Sequence, residues 1–202
     1  MPTDGATASA RQVELLEAAY RYALEHGIAD MSLRPLAAAI GSSPRVLVFL
    51  FGNKDGLVRA LLARARTDEL ALLERLDRDS AGQPIGLVRA TDEIWTWLVD
   101  DHHRGLLRLW AEAYTRSLME SDGAWSGFAR ATVDDWLTVL ANCQPPEERN
   151  SESGIASRTL ALAVLRGALL DVLATGDRQR VNSAVASALA LLGAPSTGTA
   201  QR

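Results

Sequence analysis

The densest run of side chains able to hold a metal or move a proton is Asp100-Asp101-His102-His103. Neighbouring residues on a helix point about 100° apart, so these four cannot converge, and only Asp100 and His103 share a face. Two ligands fall short of a metal site, and the run reads as a solvated helix end with no metal. No nucleophile stands beside a matched base, no glycine-rich loop is shaped for phosphate, and no carboxylates pair in an apolar setting. Neither an enzyme nor a cofactor is therefore expected. Cys143, the single cysteine, can form no internal disulfide, and beside its Gln-Pro-Pro loop it reads as a small buried residue at a helix end.

Cations and aromatic residues carry more information. Ser32 and Arg34 fall at the start of one expected helix, where free amides and a guanidinium suit a phosphate, and Lys54 repeats the arrangement at the start of another. All five tryptophans, Trp95, Trp97, Trp110, Trp125 and Trp136, follow residue 84. On the helices expected there, Trp95, Leu98 and His102 share a face, as do Trp110 and Tyr114, and as do Trp125, Phe128, Thr132 and Trp136. Taken singly, such residues are core. Taken together, with polar tips at His102, Tyr114 and Thr132, they are also what a pocket for a mostly apolar small molecule requires. Both readings stand at this point.

Breaker residues divide the chain into about nine helical blocks, and nothing alternates long enough to make a strand, so the expected fold is all-α. The first helix, from about Arg11 to His26, sets Val13, Leu16, Tyr20, Ala23 and Leu24 at three- and four-residue steps and stops at Gly27. The second opens on Ser32 as a hydroxyl cap, holds Pro35 in its first turn and closes at Gly41. Ser43-Pro44 starts a third that runs to about Phe51; after Gly52, Asn53 caps a longer fourth to about Arg78, with Leu57, Leu61, Ala65, Leu72 and Leu76 along one side. The segment from Asp79 to Pro84 reads as a boundary. Helices are expected beyond it near 85–103, 105–120, 124–142, 154–175 and 178–192, with a polar loop at Gln144 to Ser153 and a mobile tail after Ala194.

Two short helices joined by a glycine-led turn between Ser32 and Phe51 have the spacing of a helix-turn-helix. Such a unit needs a small residue where the helices cross, a residue able to turn, and inward apolar side chains. Ala37, Gly41, and the set Leu36, Ile40, Leu47 and Leu50 supply these in order. Spacing alone fits a plain helical hairpin equally well.

The run from Val13 to Leu62 resembles the N-terminal DNA-binding domain of TetR-family transcriptional regulators. It carries Ser32, Leu33, Arg34, Leu36, Ala37, Gly41, Ser43, Phe51, Lys54, Asp55 and Leu57 in the family's order. The resemblance implies that the helix starting at Pro44 is the recognition helix and that the fourth helix links the DNA-binding part to a ligand-binding part. It places Lys54 at the DNA backbone. Arg45 is the only charged residue on the recognition helix, and it can donate two bonds to a guanine edge. The sequence departs from the family at Val48, where tyrosine is usual. Val46, Val48 and Phe49 cannot hydrogen-bond to bases, although apolar side chains can touch thymine methyls. The expected DNA-facing set is thus Ser32, Arg34, Ser42, Ser43, Arg45, Val46, Phe49 and Lys54.

The last two helices differ in composition from the rest. The first of them is apolar nearly all round, and alanines keep the second narrow. The resemblance implies that both pack against their copies in a homodimer, with Leu162, Leu165, Leu169, Val185 and Leu189 at the interface. A purely internal core role is the other reading.

At 202 residues, 48% apolar and net charge −4, the chain has the composition of a globular protein, and its acidity disfavours indiscriminate nucleic-acid binding. Residues 1–66 nevertheless hold eight basic against six acidic side chains, a charge of +2 that leaves −6 for the remainder. No apolar run reaches the ~18 residues of a membrane span, and the N-terminus lacks a basic start and apolar h-region, so a cytoplasmic chain without membrane contact is expected. The expected organisation is a tail at 1–10, a helix-turn-helix domain at 11–56, a ligand-binding and dimerisation domain at 57–194, and a tail at 195–202. Its expected role is a regulator, a repressor, that binds double-stranded palindromic DNA as a dimer and is released by a mostly apolar small molecule. The alternative is a helical ligand- or protein-binding module whose helix-turn-helix binds DNA weakly or not at all.

Overall fold

Several of the breaks between helices have a local cause. The computed structural model describes residues 4–28, 30–79, 84–120 and 122–194. Its helices are α1 (Asp4–His26), α2 (Leu33–Ala39), α3 (Pro44–Phe51), α4 (Lys54–Asp79), α5 (Leu87–Leu98), α6 (Arg104–Met119), α7 (Phe128–Cys143), α8 (Pro146–Arg149), α9 (Glu152–Thr175) and α10 (Arg178–Gly193). Among the described residues there is no strand, so the fold is all-α. Gly27, at φ +80°, turns the chain out of α1 in a conformation that side chains resist. Ser43 Oγ accepts a bond from the Val46 amide at 3.3 Å with Pro44 behind it, and Asn53 Oδ1 accepts from the Gly56 amide at 2.7 Å. These are the caps expected from sequence. Ser32 precedes α2 as expected, but its hydroxyl makes no capping bond.

Two expected helices are cut short. The block at 85–103 ends at Leu98, and a separate 3-10 turn covers Asp101–His103. The block at 124–142 is divided by Gly127 at φ +75°, which leaves Trp125 in a 3-10 turn before α7 begins at Phe128. Inside the expected polar loop, Pro146 starts the one-turn α8, where the Pro145 carbonyl accepts from the amides of Glu148 and Arg149. Residues 80–83 of the expected boundary, the tail from 195 onward, and the side chains of Leu72 and Leu76 lie outside the described residues.

The chain forms two compact units that are discontinuous in sequence: residues 1–72 with 102–132, and residues 73–101 with 133–202. The reason the first reaches past a linear helix-turn-helix domain is α6. Gly105 lies so close to α1 that a Cβ there would stand 2.8 Å from the Leu24 carbonyl oxygen. Further along α6, the Glu112 carboxylate accepts the Ile28 amide at 3.0 Å. Leu109 and Ala113 then join Ala19, Tyr20, Ile28, Leu36, Leu47, Leu57, Leu61 and Ala65 in one buried cluster. In the second unit α9 packs on α5, α8 and α10. Gln144, fully buried there, donates to the Gly154 carbonyl at 3.0 Å and accepts from Arg158 at 3.2 Å, so neither end of its amide is left without a partner.

Candidate nucleic-acid interface

The helix-turn-helix stands on apolar contacts from both of its helices. Leu36, Ala37 and Leu47 are buried completely or nearly so over Ile28, Leu57, Val58 and Leu61, while Leu33, Ile40 and Phe51 are half-buried against the same cluster. The chain bends by 104° between α2 and α3, within the range of such motifs. Two further residues, which sequence reasoning missed, set the third helix. Gln12 Nε2 donates to the Leu50 carbonyl at 3.0 Å, tying the end of α3 to α1. Gly56 allows a close approach: a Cβ there would lie 1.9 Å from the Phe51 carbonyl oxygen, so no side chain fits at the α3–α4 joint. A glycine in the first turn of a helix was the only signal for this.

With the inner side so anchored, α3 presents its other side to solvent. Arg45, Val46, Val48 and Phe49 are all exposed, Phe49 to 81%. Ser32, Arg34, Ser43 and Lys54 are exposed around it. Ser42 differs from the rest: it is half-buried, and its Oγ is buried without a hydrogen-bond partner among the described residues, so it does not reach outward as the others do. The surface combines cations at helix starts with a solvent-facing helix, which is suited to a polyanion.

Of the residues expected on shared aromatic faces, His102 and Trp125 leave the helices that were to carry them. Trp95, Leu98 and Trp136 belong to one unit, and His102, Trp110, Tyr114, Trp125, Phe128 and Thr132 to the other. His102 is exposed, because α5 ends before it and a turn carries it. Trp125 is severed from the α7 face by Gly127 and packs into the cluster beneath the helix-turn-helix, with Phe128 half-buried against it. The Trp95 indole donates to Asn182 Oδ1 at 2.9 Å. Thr132 and Trp136 are buried on α7. On α6, Trp110 and Tyr114 lie with ring centroids 5.0 Å apart; Trp110 is 7% exposed, and its Nε1 is buried without a hydrogen-bond partner among the described residues. An open cleft of about 580 Å³, bordered by Ile85, Val88, Pro145, Leu189 and Leu192, is lined by none of these tryptophans.

The residues assigned to a dimer face require correction. Leu162, Leu165, Leu169 and Val185 are buried at 4% exposure or less inside their own protomer, and Leu189 is half-buried. They lie on α9 and α10, which pack on each other and on α5 within the protomer. The opposite side of α9 carries Ala156, Leu160, Ala163, Gly167, Leu170 and Ala174, all exposed and spaced alternately by four and three residues. On α10, Ala184, Ser187 and Leu191 continue the exposed surface. A Cβ added at Gly167 would meet nothing within 4 Å, so the protomer itself does not demand that gap.

Among the described residues no three His, Cys, Asp or Glu side chains come together as a metal site, and Asp101 is ion-paired with Arg178. Cys143 is buried at the end of α7, as expected. No single helix among the described residues is long and apolar enough to cross a membrane.

Residues 15–61 match the family model of the bacterial regulatory proteins, tetR family. No protein of curated function matches the sequence significantly. Among solved structures, the multidrug binding protein EbrR, complexed with imidazole, is 23% identical with a TM-score of 0.65, over 93% of this chain and 92% of that one. NalD, the secondary repressor of the MexAB-OprM multidrug efflux pump in Pseudomonas aeruginosa, is 19% identical with a TM-score of 0.57, over 94% and 95%. A TetR-like transcriptional regulator from Rhodococcus sp. RHA1 is 22% identical with a TM-score of 0.55, over 95% and 93%. At these identities the likeness is one of fold, and it extends over nearly the whole chain.

Proposed function

We propose that this chain, whose residues 15–61 match the family model of the bacterial regulatory proteins, tetR family, is a homodimeric repressor of that kind that binds a palindromic operator and releases it on taking up a mostly apolar small molecule. The observation that carries the reading is the exposed α3 with Arg45, together with exposed Ser32, Arg34, Ser43 and Lys54 at the starts of α2, α3 and α4, on a domain whose inner side is locked into core. Arg45 addresses base edges; Arg34 and Lys54 hold phosphates beside free helix amides. The dimer forms through the exposed stripe of α9 and α10, where Gly167 and the alanines let helices approach closely.

The effector binds against the Trp110 and Tyr114 side of α6, where the Trp110 indole N–H has no acceptor among the described residues and a ligand can supply one. Two of the structural neighbours are described by multidrug binding or multidrug efflux, in keeping with an aromatic, adaptable site. The same helix holds the α1–α2 junction through Glu112 and the Ile28 amide. A ligand that prefers one position of α6 therefore biases the helix-turn-helix and the spacing of the two recognition helices, which must match about one DNA turn or a multiple of it.

Selection of duplexes from a random library, followed by mobility shift with a panel of aromatic and aliphatic compounds, tests the reading. Expected are enrichment of a two-fold symmetric site and its release by at least one apolar compound with a change in tryptophan fluorescence. A second reading, a helical module that no longer reads DNA, draws on the apolar character of α3. Failure to shift any duplex selects it.

A further inference from the structure

The recognition helix offers little with which to read bases by hydrogen bonding. Pro44-Arg45-Val46-Leu47-Val48-Phe49-Leu50-Phe51 contains no Asn, Gln, Ser, Thr or Lys, so α3 has no side chain for the paired contacts that identify adenine and one, Arg45, for guanine. Its geometry is nevertheless ordered. At 100° per residue, Leu50, Leu47 and Phe51 occupy one side, buried or half-buried, and the remaining arc runs Val48, Arg45, Phe49, Val46. Arg45 and Phe49 thus form the centre of the solvent-facing surface, one turn apart, with a valine on each flank. Phe49 is 81% exposed and the valines 38% and 43%. Three large apolar side chains held in water on one short helix mark a surface that is covered in the working state.

The charge of the chain says by what. The patch has a guanidinium at its centre and Lys54 near its edge, on the segment of residues that carries +2 while the rest of the chain carries −6. A polyanion with apolar points on its surface is complementary to it, and in the major groove of DNA those points are the C5-methyl groups of thymine. Resting on the DNA-binding reading above, we propose that α3 reads thymine methyls, with Phe49 as the principal contact and Val46 and Val48 beside it, around a single guanine held by Arg45. The operator half-site is then a thymine-rich step next to one G·C pair.

The test uses the full-length protein and the duplex obtained by selection, with each thymine of one half-site replaced in turn by deoxyuridine. This removes the methyl and leaves every hydrogen-bonding group in place. Binding is expected to weaken about fourfold for each contacted methyl. Phe49→Ala, whose helical content is checked by circular dichroism, binds the thymine duplex as weakly as the unaltered protein binds the uracil duplex and loses nothing more on uracil. Phe49→Leu retains part of the preference. Replacing cytosines by 5-methylcytosine leaves affinity unchanged. Equal affinity for the thymine and uracil duplexes, with selective binding intact, overturns the proposal, and tighter binding to 5-methylcytosine overturns the choice of thymine. Absence of binding to any duplex, random DNA included, is a different result and removes the DNA-binding reading itself.

Discussion

Arg45 and Lys54 are both exposed cations in the same short stretch, and the proposed function gives them separate duties. Arg45 stands at the centre of the outward arc of α3, whereas Lys54 is the first residue of α4. Arg45→Ala is expected to cost about 1–3 kcal/mol at the operator and little on random DNA. Lys54→Ala is expected to weaken both alike and to flatten the salt dependence by about one unit of slope. Titrations of the two variants against specific and random duplexes at several salt concentrations check this, and equal losses on both DNAs would overturn the division. A second prediction concerns Tyr20, buried in the core, whose hydroxyl donates to Asp68 at 2.9 Å under the Arg64 guanidinium. Burial, with the bond to Asp68, raises its pKa well above the usual tyrosine range. The folded state thus favours the protonated phenol, so this contribution is complete below the unfolded value near 10 and is lost as pH rises beyond it. Denaturant unfolding between pH 8 and 11 should show stability falling above about pH 10, and Tyr20→Phe should blunt the fall.

Elements succeed here where their ends are chemically defined. The caps at Ser43 and Asn53 and the stop at Gly27 are short-range effects, so the first four helices were legible in the sequence, α1 apart from its earlier start. The block expected at 85–103 ends early without a local sign of it, since neither glycine nor proline stands between Leu98 and Arg104. The Gly127 break was misjudged because the conformation of a glycine is decided by the chain around it. Gly56 is the element-scale test. An alanine there would press its Cβ into the Phe51 carbonyl and pry α3 from α4. Gly56→Ala is expected to destabilise the domain by about 1–3 kcal/mol, despite the better helix propensity of alanine, and to lose operator binding more than random-DNA binding. Thermal unfolding and mobility shift measure the two effects; an unchanged or raised Tm would show that the joint does not need glycine.

At the scale of the molecule, the proposed dimer gives the two sides of α9 different work. Leu165, in the seam with α5 and α10, is expected to cost about 2–5 kcal/mol on change to alanine, a loss borne by the protomer. Leu170, half open to solvent on the other side, is expected to leave protomer stability nearly unchanged on change to glutamate while splitting the dimer, because charge is then buried without a partner at the subunit contact. Sedimentation across a concentration series distinguishes them; a Leu170→Glu chain that stays dimeric would move the interface elsewhere. The amino-acid sequence by itself determined the all-α character, the caps, the helix-turn-helix spacing and the cations at helix starts, since each depends on residues within a few positions of one another. Only the tertiary structure decided which side of α9 faces inward, that His102 and Trp125 leave the helices expected to carry them, and that α6 joins the helix-turn-helix through Glu112 and Gly105. An apolar residue raises the expectation of burial, but says neither whether its own chain buries it nor against what. That choice is made by contacts between segments as far apart as Ile28 and Glu112, which no local periodicity encodes.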